Sequence, residues 1–82
     1  MKRELPFKCE VFADAETVSN PFTGESIMLS PDAVAVYDVI MGMQLFAESA
    51  EGEQADKAWD IVRAGLDWFR KHEPKAYMVL LD

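Results

Sequence analysis

The chain has little of the chemistry that most enzymes and metal proteins use. Cysteine and histidine each occur once in 82 residues, as Cys9 and His72. A single cysteine excludes an internal disulfide and a cysteine metal cluster, and it is typical of a reducing compartment. No apolar run approaches the roughly 20 residues that a membrane-spanning helix needs. The basic start, MKRELPFKCE, has no apolar core of a signal peptide after it. These absences predict a cytoplasmic protein without a membrane partner.

Basic residues are missing from the middle of the chain. No lysine or arginine lies between Lys8 and Lys57, and the net charge is −7. The acidic residues in that interval are Glu10, Asp14, Glu16, Glu25, Asp32, Asp38, Glu48, Glu51, Glu53 and Asp56. Because nucleic-acid binding needs a basic stripe, direct contact with nucleic acid is not expected. The acidic surface either keeps the protein in solution or docks on a basic partner, with Asp32 and Asp38 as candidate contacts.

The N-terminal third has the patterns of a small antiparallel sheet. Apolar residues alternate from Phe7 through Cys9, Val11 and Ala13, which is the period of a half-buried strand. The segments ETVSN and SIMLS then flank a turn rich in proline and glycine. We therefore predict a β-meander over residues 7–29, in which the second hairpin is better supported than the first strand.

Two helices and a short third one are predicted to follow. The start SPDA, with Pro31 at the first helical position, predicts a helix over 31–49 that Ser30 can cap. Apolar residues at spacings of three and four predict a second helix over 53–72. Because the break at Gly52 is short, the two helices are predicted to pack against each other in antiparallel orientation. A short helix is predicted over 74–81, with a strand at MVLL as the alternative.

The turn NPFTGE has a structural explanation for most of its residues. Pro21 presets the first corner of a type I turn, Asn20 can hydrogen-bond the backbone of the turn, and Gly24 suits the left-handed position that closes a four-residue loop. The tripeptide Asn-Pro-Phe also resembles the ligands of EH domains, although three residues carry little information. Phe22 is left without a role in the turn, and it is a candidate contact.

A second apolar face is predicted on the second helix. Trp59 belongs to the main apolar stripe, whereas Trp68 lies off it, near Ile61 and beside charged residues. Either the meander or the C-terminal segment covers this face, or Ile61 and Trp68 form an interface patch, such as that of a homodimer. Tryptophan is the residue type most often found as an interface hot spot.

Candidate catalytic groups are few, and no motif connects them. His72 lies at a predicted helix end, where a positive charge suits the dipole. Cys9 falls on the apolar face of a predicted strand, which is typical of a buried small hydrophobe. The acidic stretches lack the spacing of an EF-hand, which leaves only a weak surface cation site at Glu48, Glu51 and Glu53 as an alternative. We expect no catalytic residue, no cofactor, no metal and no enzyme activity.

Three segments together, NPFTGESIMLSP, AVAVYDVI and AYMVLLD, resemble small uncharacterised proteins of tailed phages and viral metagenomes. The resemblance covers about half of the chain and implies a virus-encoded factor in the host-cell cytoplasm. That family has no assigned activity, so no functional residue can be transferred from it.

Together these observations predict one α+β domain over residues 1–82. A small antiparallel β-hairpin or three-stranded meander packs on an antiparallel helical hairpin, and a short C-terminal helix closes it. The predicted function is a small acidic protein–protein interaction module that acts on a host or phage protein. A structural or accessory virion component is the alternative, and an enzyme is a second one.

Overall fold

A computed structural model describes residues 4–81 and shows an α+β fold. Two strands, β1 (Glu16–Ser19) and β2 (Ser26–Leu29), precede two long helices, α1 (Pro31–Ser49) and α2 (Gly52–His72). The chain continues through α3 (Pro74–Ala76) into a π-helix (Tyr77–Leu81). The predicted combination of a β-hairpin, an antiparallel helical hairpin and a short C-terminal helix is therefore confirmed. Within the described range, none of the helices combines the length and the apolar character that a bilayer crossing requires.

The two strands form an antiparallel hairpin in the register that the sequence predicts. Val18 pairs with Ile27, and both side chains are half-buried. One step along the same face, Leu29 is completely buried. Met28 lies on the opposite face and is exposed. The hairpin thus places one apolar face against the helices, as the period-two pattern requires.

The prediction of a first strand from Phe7 is wrong, and so is the three-stranded form of the meander. In the described part of the chain the sheet has two strands, and residues 7–15 lie outside it. Phe7 and Cys9 instead pack against the core that the helices form, while Val11 is exposed. An extended segment buries alternate side chains against any apolar surface. The alternation from Phe7 therefore reflects packing against the helices and not pairing with another strand.

Helix α1 begins at the predicted residue but with a different set of hydrogen bonds. Pro31 occupies its first position. The Ser30 hydroxyl donates to the Asp32 carboxylate and makes no side-chain cap with a helix N–H. Asp32 Oδ1 instead accepts from the backbone N–H of Ala33 at 2.8 Å. Asp32, and not Ser30 as predicted, therefore accepts a hydrogen bond from an N–H group in the first turn. The negative charge of Asp32 also suits the positive end of the helix dipole.

The core lies where both helices meet the hairpin and the C-terminal segment. Its largest fully buried side chains are Phe69, Leu29, Ile40 and Val36. The C-terminal segment is helical, so the strand alternative is wrong there. Tyr77, Leu80 and Leu81 pack against the core together, while Met78 between them is exposed. The final apolar run is therefore docked through one helical face.

The two helices are in tight contact at Gly65 of α2. A Cβ atom at this position would lie 2.5 Å from Ile40 Cγ1 and 3.4 Å from Phe7 Cε2. The first distance is far inside van der Waals contact, and Ile40 is completely buried. Glycine is needed at this position because α1 occupies the space that any side chain would take.

Substitution of Gly65 tests this packing. Gly65→Ala gains about 1 kcal/mol of helix propensity but overpacks the core at a cost of about 1–3 kcal/mol, so we expect net destabilisation. Gly42→Ala is the matched control, because a Cβ at helical Gly42 meets nothing within 4 Å. That variant should be stabilised by about 1 kcal/mol. Urea unfolding of both variants beside wild type measures the two effects. Equal stabilisation by both substitutions would contradict the close approach.

Candidate functional site

The hairpin tip is held by the side chain of Asn20. Asn20 Oδ1 accepts from the backbone N–H of Phe22 at 2.8 Å and from that of Thr23 at 3.4 Å. The backbone of Asn20 accepts from the Gly24 N–H and donates to the Glu25 carbonyl. Gly24 has a φ of 79°, the left-handed conformation that was predicted for it. The turn chemistry expected of Asn20 and Gly24 is confirmed.

Asn20 also connects the tip to the other end of the chain. Its Nδ2 donates to the backbone carbonyl of Val79 at 3.0 Å. This hydrogen bond is partly buried and joins the tip to the C-terminal π-helix. One side chain therefore fixes both the shape of the turn and its position on the molecule.

Phe22 projects from this fixed tip. This residue is 95% exposed, more than any other large hydrophobic residue among residues 4–81. Because Pro21 restricts φ before it and Asn20 binds its backbone N–H, the backbone of Phe22 is constrained while its ring faces solvent. Phe22 thus contributes to a surface and not to the core.

A groove runs from the hairpin tip between the two helices to the C-terminal segment. We call it the hairpin groove, and its volume is about 540 Å³. Its lining is mainly apolar, with few polar groups: Asn20, Pro21, Phe22, Tyr37, Met41, Gln44, Leu45, Glu48, Trp59, Val62, Leu66, Leu80 and Leu81. Leu45 is 70% exposed at its edge. A volume of this size is within the range of binding sites in proteins, roughly 300–1,000 Å³.

The acidic candidates occupy two different environments. Asp38 is exposed. Burial is the larger cause of the raised pKa of the neighbouring Tyr37, and the negative charge of Asp38 raises that pKa further. Asp32 is half-buried and engaged with Ser30 and Ala33 at the start of α1. Asp38 is therefore available to a partner, whereas replacement of Asp32 would disturb the start of the helix.

The prediction that Trp68 could anchor an exposed interface is wrong. Trp68 is 5% exposed, and its Nε1 donates to the backbone carbonyl of Glu4 at 2.8 Å. Its ring also packs edge-on against Phe69. The N-terminal segment covers this face of α2, rather than the meander or the C-terminal segment that the sequence suggested. A homodimer built on Trp68 loses its anchor for the same reason.

Ile61 does not form one patch with Trp68. It is half-buried and lines a smaller groove of about 310 Å³, together with Met43, Phe46 and Lys57. Trp68 instead lies beside Leu5, Pro6 and His72 in a third depression. Ile61 remains a candidate contact, but on a separate surface from both Trp68 and the hairpin groove.

The two side chains considered for catalysis, those of Cys9 and His72, are both packed against other side chains. Burial raises the pKa of the Cys9 thiol, which is opposite to the change that activates a nucleophilic cysteine. The His72 ring packs against Trp68 with its centroid 5.2 Å away. Among residues 4–81 no group of three or more histidine, cysteine, aspartate or glutamate side chains could hold a metal ion. Glu48, Glu51 and Glu53 therefore do not come together as a cation site.

Sequence reasoning missed most of the hairpin groove. Trp59 was assigned to the core stripe and does pack against the core, but it is half-buried and also lines the groove. Tyr37, Met41 and Leu45 repeat every four residues along α1 and form its second apolar stripe. That spacing is the signal that could have indicated an apolar face beside the core.

Comparison with known proteins gives no relative for this chain: no family model, no curated protein and no solved structure matches it. Its function therefore has to be inferred from the arrangement of its own side chains.

The Asn20–Val79 hydrogen bond can be removed without removing the turn. Asn20→Asp keeps the acceptor oxygen but replaces the donor with a carboxylate oxygen that repels the Val79 carbonyl. We expect a loss of about 1–3 kcal/mol in the free energy of unfolding. We also expect faster amide hydrogen exchange in the Tyr77–Leu81 π-helix. Thr23→Val is the control, because it removes only the exposed hydrogen bond from the Glu25 N–H to Thr23 Oγ1. Unchanged exchange in Asn20→Asp would show that the contact does not hold the C-terminal segment.

Tyr37 reports on the acidic side of α1. Its folded-state pKa is raised above the ordinary value of 10.0. Its contribution to stability is therefore full below that pH and is lost as the pH rises through the folded-state pKa. We expect Asp38→Asn to move the pKa of Tyr37 downward, because the charge is removed while burial remains. Tyrosinate absorbance measures this, with Tyr37→Phe used to assign the transition. An unmoved midpoint would mean that Asp38 does not act on Tyr37.

Proposed function

We propose that this protein is a protein–protein interaction module that binds its partner through the hairpin tip and the hairpin groove. The observation that carries the proposal is the 95% exposure of Phe22 on a tip whose backbone is fixed by hydrogen bonds. A large apolar ring held in water contributes nothing to the core. Aromatic side chains of this kind are enriched in the contact regions of protein interfaces.

The surroundings of Phe22 support the same function. The exposed ring is continuous with an apolar groove that contains a half-buried tryptophan, Trp59. Binding energy in interfaces is concentrated where an aromatic residue and a pocket lie together at the centre of the contact. Phe22 and Trp59 provide such a centre, and the tip needs little ordering when a partner binds, because its backbone is already constrained.

The chemistry of the groove favours a binding role over a catalytic one. Its ionisable side chains are Tyr37 and Glu48, and burial and the neighbouring charge raise the pKa of Tyr37. A phenol with a raised pKa is a poorer base at neutral pH. We expect the partner to be a host or phage protein, in line with the resemblance of NPFTGESIMLSP, AVAVYDVI and AYMVLLD to small proteins of tailed phages.

Selection from a displayed library of random peptides tests the proposal. We expect wild-type protein to enrich peptides whose binding falls at least about tenfold on Phe22→Ser, the effect of removing one well-packed apolar side chain. Phe12→Ser is the matched control, since Phe12 is also an exposed phenylalanine, at 68%, but lies outside the groove. Both substitutions should change the free energy of unfolding by less than about 0.5 kcal/mol, because both rings are exposed.

Two results would overturn the proposed function. Failure to enrich any peptide over a blank surface would show that the groove does not bind polypeptide. Peptides that bind wild type, Phe22→Ser and Phe12→Ser equally would place recognition elsewhere on the molecule.

A further inference from the structure

The hairpin groove combines an apolar lining with an acidic edge. We propose that it takes a basic amphipathic segment of the partner, with apolar side chains in the groove and lysine or arginine side chains towards α1. This inference rests on the proposed function and adds to it the chemical class of the partner.

The apolar half of the inference follows from the residues that line the groove. Tyr37, Met41 and Leu45 lie on successive turns of α1, and Trp59 and Leu66 face them from α2. An apolar channel between two helices is the surface that amphipathic helices bind in known recognition modes, through side chains at spacings of three and four.

The charged half follows from the composition of α1. This helix contains Asp32, Asp38 and Glu48 and no lysine, arginine or histidine. Glu48 lines the groove itself. Within residues 4–81, neither Asp38 nor Glu48 takes part in an ion pair. The α1 side of the groove therefore carries negative charge that a basic segment would neutralise.

The opposite side of the groove does not cancel this charge. The arginines of α2 are already paired on their own helix, Arg63 with Asp60 and Arg70 with Asp67. Arg70 also lies over the ring of Tyr77, 5.3 Å from its centroid. The lysines of α2, Lys57 and Lys71, line the other two depressions, and no lysine or arginine is among the described residues that line the hairpin groove. The excess negative charge on α1 therefore remains for a partner to meet.

The same charge argues against a second copy of this chain as the occupant. A two-fold contact presents the same surface of each copy to the other. Through this groove it would bring together two α1 helices that both lack basic residues. Like charges at such a contact oppose association, and at a net charge of −7 they do so most strongly at low salt.

A pair of designed peptides tests the inference directly. The probe is an amphipathic peptide of leucine and lysine, about 14 residues or roughly 20 Å long as a helix. Its control has the same leucines with glutamate in place of lysine. We follow the indole N–H resonances of the two tryptophans by nuclear magnetic resonance. The lysine peptide should shift the resonance of Trp59, in the groove, and not that of Trp68, which lies outside it. The shift should weaken as salt is raised, and the glutamate peptide should produce none.

Two pairs of variants locate the contact. Leu45→Ser should weaken binding of the lysine peptide about tenfold, while Met78→Ser should not. Both residues are 70% exposed, so neither change threatens the core, but only Leu45 lines the groove. Glu48→Gln should weaken binding about two- to fivefold, the range of one exposed charge pair. Glu53→Gln removes a charge outside the groove lining and should have no effect.

Several outcomes would overturn the inference. These are equal binding of both peptides, no shift of Trp59 at millimolar peptide, a shift of Trp68 instead, or equal loss in Leu45→Ser and Met78→Ser. A wild-type dimer in sedimentation that Leu45→Ser dissociates would show that a second copy occupies the groove. If library selection yields neutral or acidic peptides that still depend on Phe22, the basic partner is excluded while the proposed function stands.

Discussion

The close approach of α1 and α2 at Gly65 is the constraint on which the rest of the structure depends. Since the space above Gly65 is filled by Ile40, the two helices have a fixed crossing point. The ring of Phe7 also lies beside Gly65. The missing side chain therefore leaves room for the N-terminal segment as well as for Ile40. The hairpin groove lies between the same two helices, and Leu66, the neighbour of Gly65, is part of its lining.

The molecule thus has two contrasting sides. On one, the N-terminal segment covers α2, and Trp68 is both packed and hydrogen-bonded to Glu4. On the other, Trp59 remains accessible beside an apolar stripe of α1. Trp68 is buried within the core, whereas Trp59 packs against the core and also lines a surface groove. What distinguishes them is whether another segment of the chain lies over that face of the helix.

Much of the fold could be predicted from local signals. The sequence around Pro31 indicated where α1 begins, and Asn20 and Gly24 indicated the turn, because these effects depend on near neighbours. The path of the N-terminal segment could not be predicted. Alternation at Phe7 and Cys9 specifies an extended chain with one apolar face, but not whether a strand or a helix lies under it. The different environments of Trp59 and Trp68 could not be predicted for a related reason. Helical periodicity gives the angle between two side chains, but it does not show which part of the apolar arc another segment covers. The sequence showed that the turn does not need Phe22. Whether Phe22 is exposed depends on the tertiary structure, which local signals do not give.

The hydrogen bond from Asn20 to Val79 has a consequence for the order of folding. It joins residues 59 positions apart, so forming it early would cost the entropy of closing a very long loop. That cost falls once α1 and α2 have paired, because the paired helices bring the C-terminal segment back to the hairpin. We therefore expect the tip to reach its final position late, after the core has formed. A chain that is only partly folded would display Phe22 without the groove beside it, and the complete surface would mark the fully folded molecule.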